Sequence, residues 1–262
     1  MGFVAGLAMV MAMAPGFSGD NTIKVRADAW PPFNDAPTSD RPGYVVEMLK
    51  AIFEPQGYKI DYQTMPWTRA LVEVEAGRID AVIGASPEEA PTCVYPKEEM
   101  GLMKVGFYTL KSNPWGYGGL DSLKKVKLAA VEGYSYSATE GALSKYLSET
   151  KPPAVQLMTG DDALLRNIRK LFAKHVDTVI ESDVVFMWTV RNAKDKNLGI
   201  DPDGIKCAGY YEDISKLFVA FTPKRGDAKK LAEMFDAGIM ELRKSGKAKE
   251  ILGHYEISDW KK

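Results

Sequence analysis

Apolar and polar positions alternate between two periods along this chain, a strand-like run and then a helical one. Ile23 to Ala27 reads as a short strand that enters a turn-rich loop, Trp30-Pro31-Pro32-Phe33-Asn34. From Tyr44 to Gln56, Val45, Val46, Leu49, Ile52 and Phe53 recur at three- and four-residue spacing, which predicts one buried helical face ended by Gly57. Tyr58 to Gln63 is strand-like, Thr68 to Ala76 a short helix stopped by Gly77, and Ile79 to Ile83 a buried strand. The order then returns: a strand at Lys127 to Val131, a helix at Ser137 to Leu147, a strand at Ala154 to Met158. An apolar helical stripe follows, Leu164, Leu165, Ile168, Leu171 and Phe172, for which Asp161 is a candidate cap. Val176-Asp177-Thr178-Val179-Ile180 matches Ile79-Asp80-Ala81-Val82-Ile83 closely, which suggests an architectural repeat, although two similar strands also arise by chance. Beyond a strand at Lys216 to Phe221, Asp227 opens an amphipathic helix carrying Leu231, Phe235, Ile239 and Leu242, and a short helix covers Ala248 to Leu252.

Alternating strand and helix predict an α/β fold with two open, mostly parallel sheets covered by helices. Two segments, Lys104 to Leu110 and Lys216 to Phe221, are the expected crossings between them. A chain that crosses twice makes a two-strand hinge and a discontinuous first lobe, 20–107 with 221–262, against a second lobe, 108–220. Ligands of such sheets gather at the carboxyl ends of the strands. That rule selects Trp30 to Phe33, Trp67, Gly84 to Ser86 (Gly84, Ala85, Ser86), Gly133 to Tyr136 and Glu181 to Asp183.

Composition narrows the function classes. Of 262 residues, 45% are hydrophobic and the formal net charge is −1, so a folded core is expected and a nucleic-acid partner is not. Gly2 to Ala14 carries no charge and resembles the apolar part of a secretory signal, too short to span a bilayer core of about 30 Å. Residues 1–19 are therefore assigned as a signal-like segment directing the protein to the periplasm; a buried N-terminal helix is the competing reading. Cys93 and Cys207 fall in different lobes and are expected as free thiols, and no metal or cofactor is anticipated.

Taken in order, several motifs resemble the family 3 extracellular solute-binding proteins, the periplasmic binding proteins that deliver polar amino acids to ABC importers. They are Ala27-Asp28-Ala29-Trp30-Pro31-Pro32-Phe33, Gly43-Tyr44-Val45-Val46-Glu47-Met48-Leu49, Trp67-Thr68-Arg69-Ala70-Leu71 and Gly77 to Ile83. In the second half come Ala130-Val131-Glu132-Gly133-Tyr134-Ser135, Val176 to Ile180 and Leu242 to Lys247. The resemblance implies a type II periplasmic-binding-protein fold closing on a small polar molecule, with ABC transporter membrane subunits as partners and a monomeric state. It implies that Trp30 and Trp67 sandwich the ligand. Two departures bear on which ligand. The arginine that grips an α-carboxylate is missing from Ser86-Pro87-Glu88-Glu89-Ala90-Pro91, and Ser182 stands where the family carries the ammonium-binding aspartate.

Arg69 is a candidate substitute for that arginine, or else the i,i+4 partner of Glu73. Ser135, between Tyr134 and Tyr136, either receives a ligand oxygen or caps a helix. Tyr108 lines the cleft floor or packs the hinge. On a continuing strand Glu181 and Asp183 would share a face and Ser182 take the other; which face meets the cleft stays open. A ligand sensor for a separate receptor and a cyclohexadienyl-dehydratase-like enzyme are the alternative functions, the latter lacking any nucleophile–base pair or metal set.

Overall fold

The computed structural model describes residues 21–136, 141–160, 162–193 and 200–261. In the first half β1 (Thr22–Ala27), α1 (Tyr44–Phe53), β2 (Lys59–Thr64), α2 (Trp67–Glu75) and β3 (Ala81–Ala85) alternate as expected. A long strand, β4 (Gly101–Leu110), leads to α3 (Leu120–Leu123) and the second half: β5 (Leu128–Val131), α4 (Ala142–Glu149), β6 (Val155–Met158), α5 (Ala163–Phe172), β7 (Thr178–Ser182) and α6 (Asp183–Asn192). The chain returns along β8 (Ile205–Phe221) and ends in α7 (Ala228–Lys244) and α8 (Lys247–Gly253).

The apolar spacing explains the helices. Seven of the ten α1 residues are buried, and a single 3-10 turn, Glu54–Gln56, carries the chain to Gly57 at φ 84, a left-handed geometry that suits glycine. α1 docks on α7 so closely that a Cβ on Gly238 would sit 2.4 Å from the Ile52 side chain. All five residues of β3 and all five of β7 are buried, as strands covered on both faces require.

β1 runs parallel between β2 and β3, and β5 runs parallel between β6 and β7. The hydrogen-bonded order is β2-β1-β3-β8-β4-β7-β5-β6. The two separate sheets anticipated from the sequence are thus the two ends of one curled order. The reason is length: β8 pairs with β3 through residues 218–221 and with β4 through 205–217, while β4 pairs with β7 through 105–108. Both segments form strands, β4 and β8, longer than their apolar cores suggested. The first half of β8 alternates irregularly and stays largely exposed, so it carries no hydrophobic signal.

Several expectations change or fall outside what is described. β3 and β7 each start two residues later than predicted, α6 was not foreseen, and Asp162 precedes α5 without a side-chain cap bond. Asp161, the Ser137 start of the fourth helix and the segment 1–19 lie outside the described residues. Cys93 and Cys207 are unpaired. No helix among the described residues is long and apolar enough to cross a membrane.

Candidate functional site

The carboxyl ends of β1, β3, β5 and β7 meet over the β4–β8 ribbon and wall a small cavity of about 40 Å³. From the first half come Asp28 and Trp30 after β1, Trp67 at the start of α2, Ile83, Gly84 and Ser86 at the end of β3, and Glu89 beyond it. Tyr134, Ser135 and Tyr136 follow β5, and Glu181 lies on β7. Met103 and Ser215, opposite each other in the β4–β8 ladder, join Leu217 as the ribbon's contribution.

The turn after β1 fixes Trp30. Its N–H donates to the Asn34 carbonyl at 2.9 Å, its carbonyl accepts the Phe33 N–H at 3.0 Å, and its indole stacks on Phe33 with ring centroids 4.4 Å apart. Phe33 is itself seated against Tyr44 of α1, so the core holds the tryptophan's back. Its edge meets Gly84, where a Cβ would lie 3.6 Å from the indole. Gly84 has φ 97, and the β3–β8 register shifts across it, a bulge of the kind that re-aims side chains beside sites.

Tyr134 closes the opposite wall. Its hydroxyl donates to Asp28 Oδ2 at 2.5 Å, and its ring stands edge-on to Trp30 at 6.3 Å. Tyr136 is buried and accepts the Val131 N–H at 2.8 Å, which holds the post-β5 turn against its own strand. Burial pushes both phenols well above their ordinary range. Across the cavity, Glu89 accepts from the Trp67 indole at 3.4 Å and from the Ser86 N–H at 3.1 Å, and burial raises its carboxyl.

Glu181 is the centre of the electrostatics. It is 1% exposed, and its Oε1 accepts only the N–H of Ser182, at 2.8 Å. Burial pushes its carboxyl up to about 8; the Asp28 carboxylate adds to the rise, and the Ser182 N–H and the nearby Trp30 indole oppose it. Glu181 Oε2, Trp30 Nε1 and Ser215 Oγ are all buried at the cavity without completing a hydrogen bond. Three carboxylates line this space, and among the described residues no lysine, arginine or histidine does. Among the described residues no cluster of three or more His, Cys, Asp or Glu is placed to hold a metal ion.

Of the residues selected from the sequence, Trp30, Trp67, Gly84, Ser86, Tyr134, Ser135, Tyr136 and Glu181 meet at the cavity. The others do not line it. Phe33 supports Trp30 from behind, and Ala85 faces the opposite layer with Ala70 and Val74. Tyr108 stacks on Phe186 of α6 at 3.7 Å, the hinge-packing alternative rather than the cleft floor. Arg69 keeps 68% of its side chain in solvent and pairs with Glu73 at 3.7 Å, the i,i+4 alternative. Strand alternation does not run through Glu181 to Asp183, because β7 ends at Ser182 and Asp183 opens α6. Glu181 therefore faces the cavity, Ser182 is buried behind it, and Asp183 accepts its neighbour Val184's N–H.

Sequence reasoning missed Asp28, Glu89, Met103 and Ser215. Asp28 was within reach, two residues before Trp30 at the end of a strand. Glu89 sat in a loop read only for its missing arginine, and the ribbon residues gave no periodic cue.

The chain matches the bacterial extracellular solute-binding proteins, family 3, over residues 23–257. No curated protein sequence matches it significantly. Among solved structures, a histidine kinase sensor domain with similarity to periplasmic binding proteins superposes with a TM-score of 0.69 and 22% identity, over 89% of this chain and 95% of that one. The substrate-binding protein of an amino acid ABC transporter from Streptococcus pneumoniae, bound to L-arginine, gives 0.68 and 18% over 90% and 94%. An ancestral amino acid-binding protein, a precursor of cyclohexadienyl dehydratase, gives 0.67 and 16% over 90% and 95%. At these identities the structures speak for the fold, which is that of the periplasmic binding proteins. The sequence match, spanning nearly the whole described chain, supplies the lineage: this protein belongs to the bacterial extracellular solute-binding proteins, family 3.

Proposed function

We propose that the protein captures a small polar ligand between two lobes, 20–107 with 221–262 and 108–220, and presents it to the membrane subunits of an ABC importer. The observation that carries this reading is the cavity itself: both ends of the curled sheet wall it, and Tyr134 bonds directly to Asp28 across it. β4 and β8 are the hinge. Away from the cavity, Arg41 over the Trp188 ring at 5.7 Å, Trp188 against Tyr255 at 5.5 Å and Arg191 to Glu256 at 3.5 Å hold α6 to the other lobe. These are the contacts a closed form makes and an open form gives up. In this reading residues 1–19 direct export, the periplasm is the working compartment, and the protein acts as a monomer without covalent chemistry.

A thermal-shift screen of polar metabolites on the full chain tests it. A ligand at a hundredfold excess over its Kd adds about 2.7 kcal/mol to stability. Trp67→Ala should remove that shift while the unliganded protein still melts cooperatively; an undiminished shift takes Trp67 out of the site.

The structural likeness to a kinase sensor domain favours a second reading, a sensor that hands its bound state to a separate receptor. Import of the bound compound by cells carrying the protein, lost on its deletion, separates the two.

A further inference from the structure

The geometry points to an organic cation without a carboxylate, an ammonium or guanidinium group seated against Glu181 and the aromatic walls, as the ligand of this cavity. The inference rests on the capture reading above and names its substrate class.

Charge comes first. Asp28, Glu89 and Glu181 line the cavity with no basic side chain among the described residues, and the groove that continues it past Trp30 adds Glu132, while Asp162 there is paired with Arg166 at 2.9 Å. A ligand carboxylate placed here would meet only like charge, and burying an anion without a cationic partner is costly. Arg69, the candidate substitute for a carboxylate-binding arginine, keeps most of its side chain in solvent.

Hydrogen-bond accounting comes second, and it separates the three acids. Both oxygens of Glu89 already accept bonds, from Trp67 and from Ser86, and Asp28 accepts the Tyr134 hydroxyl. Glu181 keeps Oε2 open at 1% exposure, and Ser215, 3% exposed, keeps its hydroxyl open on the same cavity. Buried polar atoms are rarely left so. One carboxyl oxygen and one hydroxyl, which can accept or donate, are therefore left for a ligand to satisfy. The Trp30 N–H lies on the Glu181 side without completing that bond.

Shape comes third. Trp30, Trp67 and Tyr134 line the space, and aromatic rings attract cations, most strongly where water is excluded. Open carboxylate oxygen, open hydroxyl and aromatic wall form one recognition set, and a desolvated cation satisfies all three together.

Calorimetry on the full chain with matched probe pairs tests this, each pair differing by a carboxylate: agmatine against arginine, putrescine against ornithine, tetramethylammonium against betaine. The decarboxylated member of at least one pair should bind ten-fold tighter or more than its partner, and Glu181→Gln should weaken that member ten-fold while leaving cooperative melting intact. Amino acids binding as tightly as, or more tightly than, their decarboxylated partners would overturn the inference and leave the capture reading standing. Silence from all six compounds would count against the cavity as a ligand site, and so against both. Undiminished cation binding by Glu181→Gln would move the ligand away from Glu181 and end the assignment.

Discussion

The two ends of the molecule are built alike and finished differently. In each, three parallel strands stand in the order second, first, third, and then meet a strand of the shared ribbon: β2-β1-β3 beside β8, β6-β5-β7 beside β4. In each, one aspartate ties the third strand to the first. Asp80 accepts the Lys24 N–H at 2.7 Å while its own N–H reaches the Lys24 carbonyl at 2.9 Å; Asp177 does the same with Lys127, at 2.8 Å both ways. The short match between Ile79–Ile83 and Val176–Ile180 is therefore a repeated piece of construction. The halves part company at the next position. Gly84, at positive φ, leaves room for Trp30, whereas its counterpart Glu181 supplies the buried carboxylate. The repeat makes the frame, and the chemistry sits where the repeat stops.

The largest effect in breaking that comparison should come from Glu181. Its carboxyl is raised in the folded protein, so ionising it opposes folding. The favourable state is fully present below the unfolded carboxyl range and is lost as pH climbs toward about 8. Asp28, Tyr134, Tyr136 and Tyr108 are the titratable groups around it, and the three phenols stay neutral throughout that window. Urea unfolding at pH 5 to 9 should find Glu181→Gln gaining on the natural protein by on the order of 3–5 kcal/mol across that range. A difference independent of pH would mean that the carboxylate is already compensated. A bound cation reverses the sign, since affinity rises as Glu181 ionises.

Next in size are the paired aspartates. Removing either carboxylate leaves a strand-edge N–H without its charged acceptor, a loss of about 1.5–3 kcal/mol. Asp80 also faces Arg225 at 3.2 Å, so Asp80→Ala should sit at the upper end and Asp177→Ala at the lower. Equal effects would show that Arg225 contributes through Asp227 alone, its other partner at 2.6 Å. Gly84→Ala follows, costing about 1–2 kcal/mol for a side chain held at positive φ.

The same comparison explains what was legible in the sequence. Strands buried on both faces and helices with one apolar face write their period into the chain, so β3, β7, α1 and α5 were readable to within two residues. The aromatic residues lining the cavity were readable too, because the rule that ligands gather at strand ends and the family resemblance both selected them. α6 was not, since it is wedged between Tyr108 of β4 and Tyr255 of the C-terminal segment and so has no simple polar face. Without α6 the strand appeared to run on through Asp183, and the facing of Glu181 could not be decided. Ser215 and Met103 were hidden for a related reason: a two-stranded ribbon with solvent on much of its surface needs no regular alternation.

The smallest effect is also the most pointed. Arg69 of α2 is the candidate substitute for the carboxylate-gripping arginine that the resemblance implies and the 86–91 loop lacks. Its guanidinium lies mostly in water against Glu73, and such an exposed i,i+4 pair contributes little to stability. Arg69→Ala should leave the melting midpoint within about 1 °C and cation binding unchanged. If instead it abolished binding of every ligand, the helix would have to turn Arg69 inward on closure. The first half would then carry a positive charge facing the carboxylate of the second, and the cavity would suit a zwitterion after all.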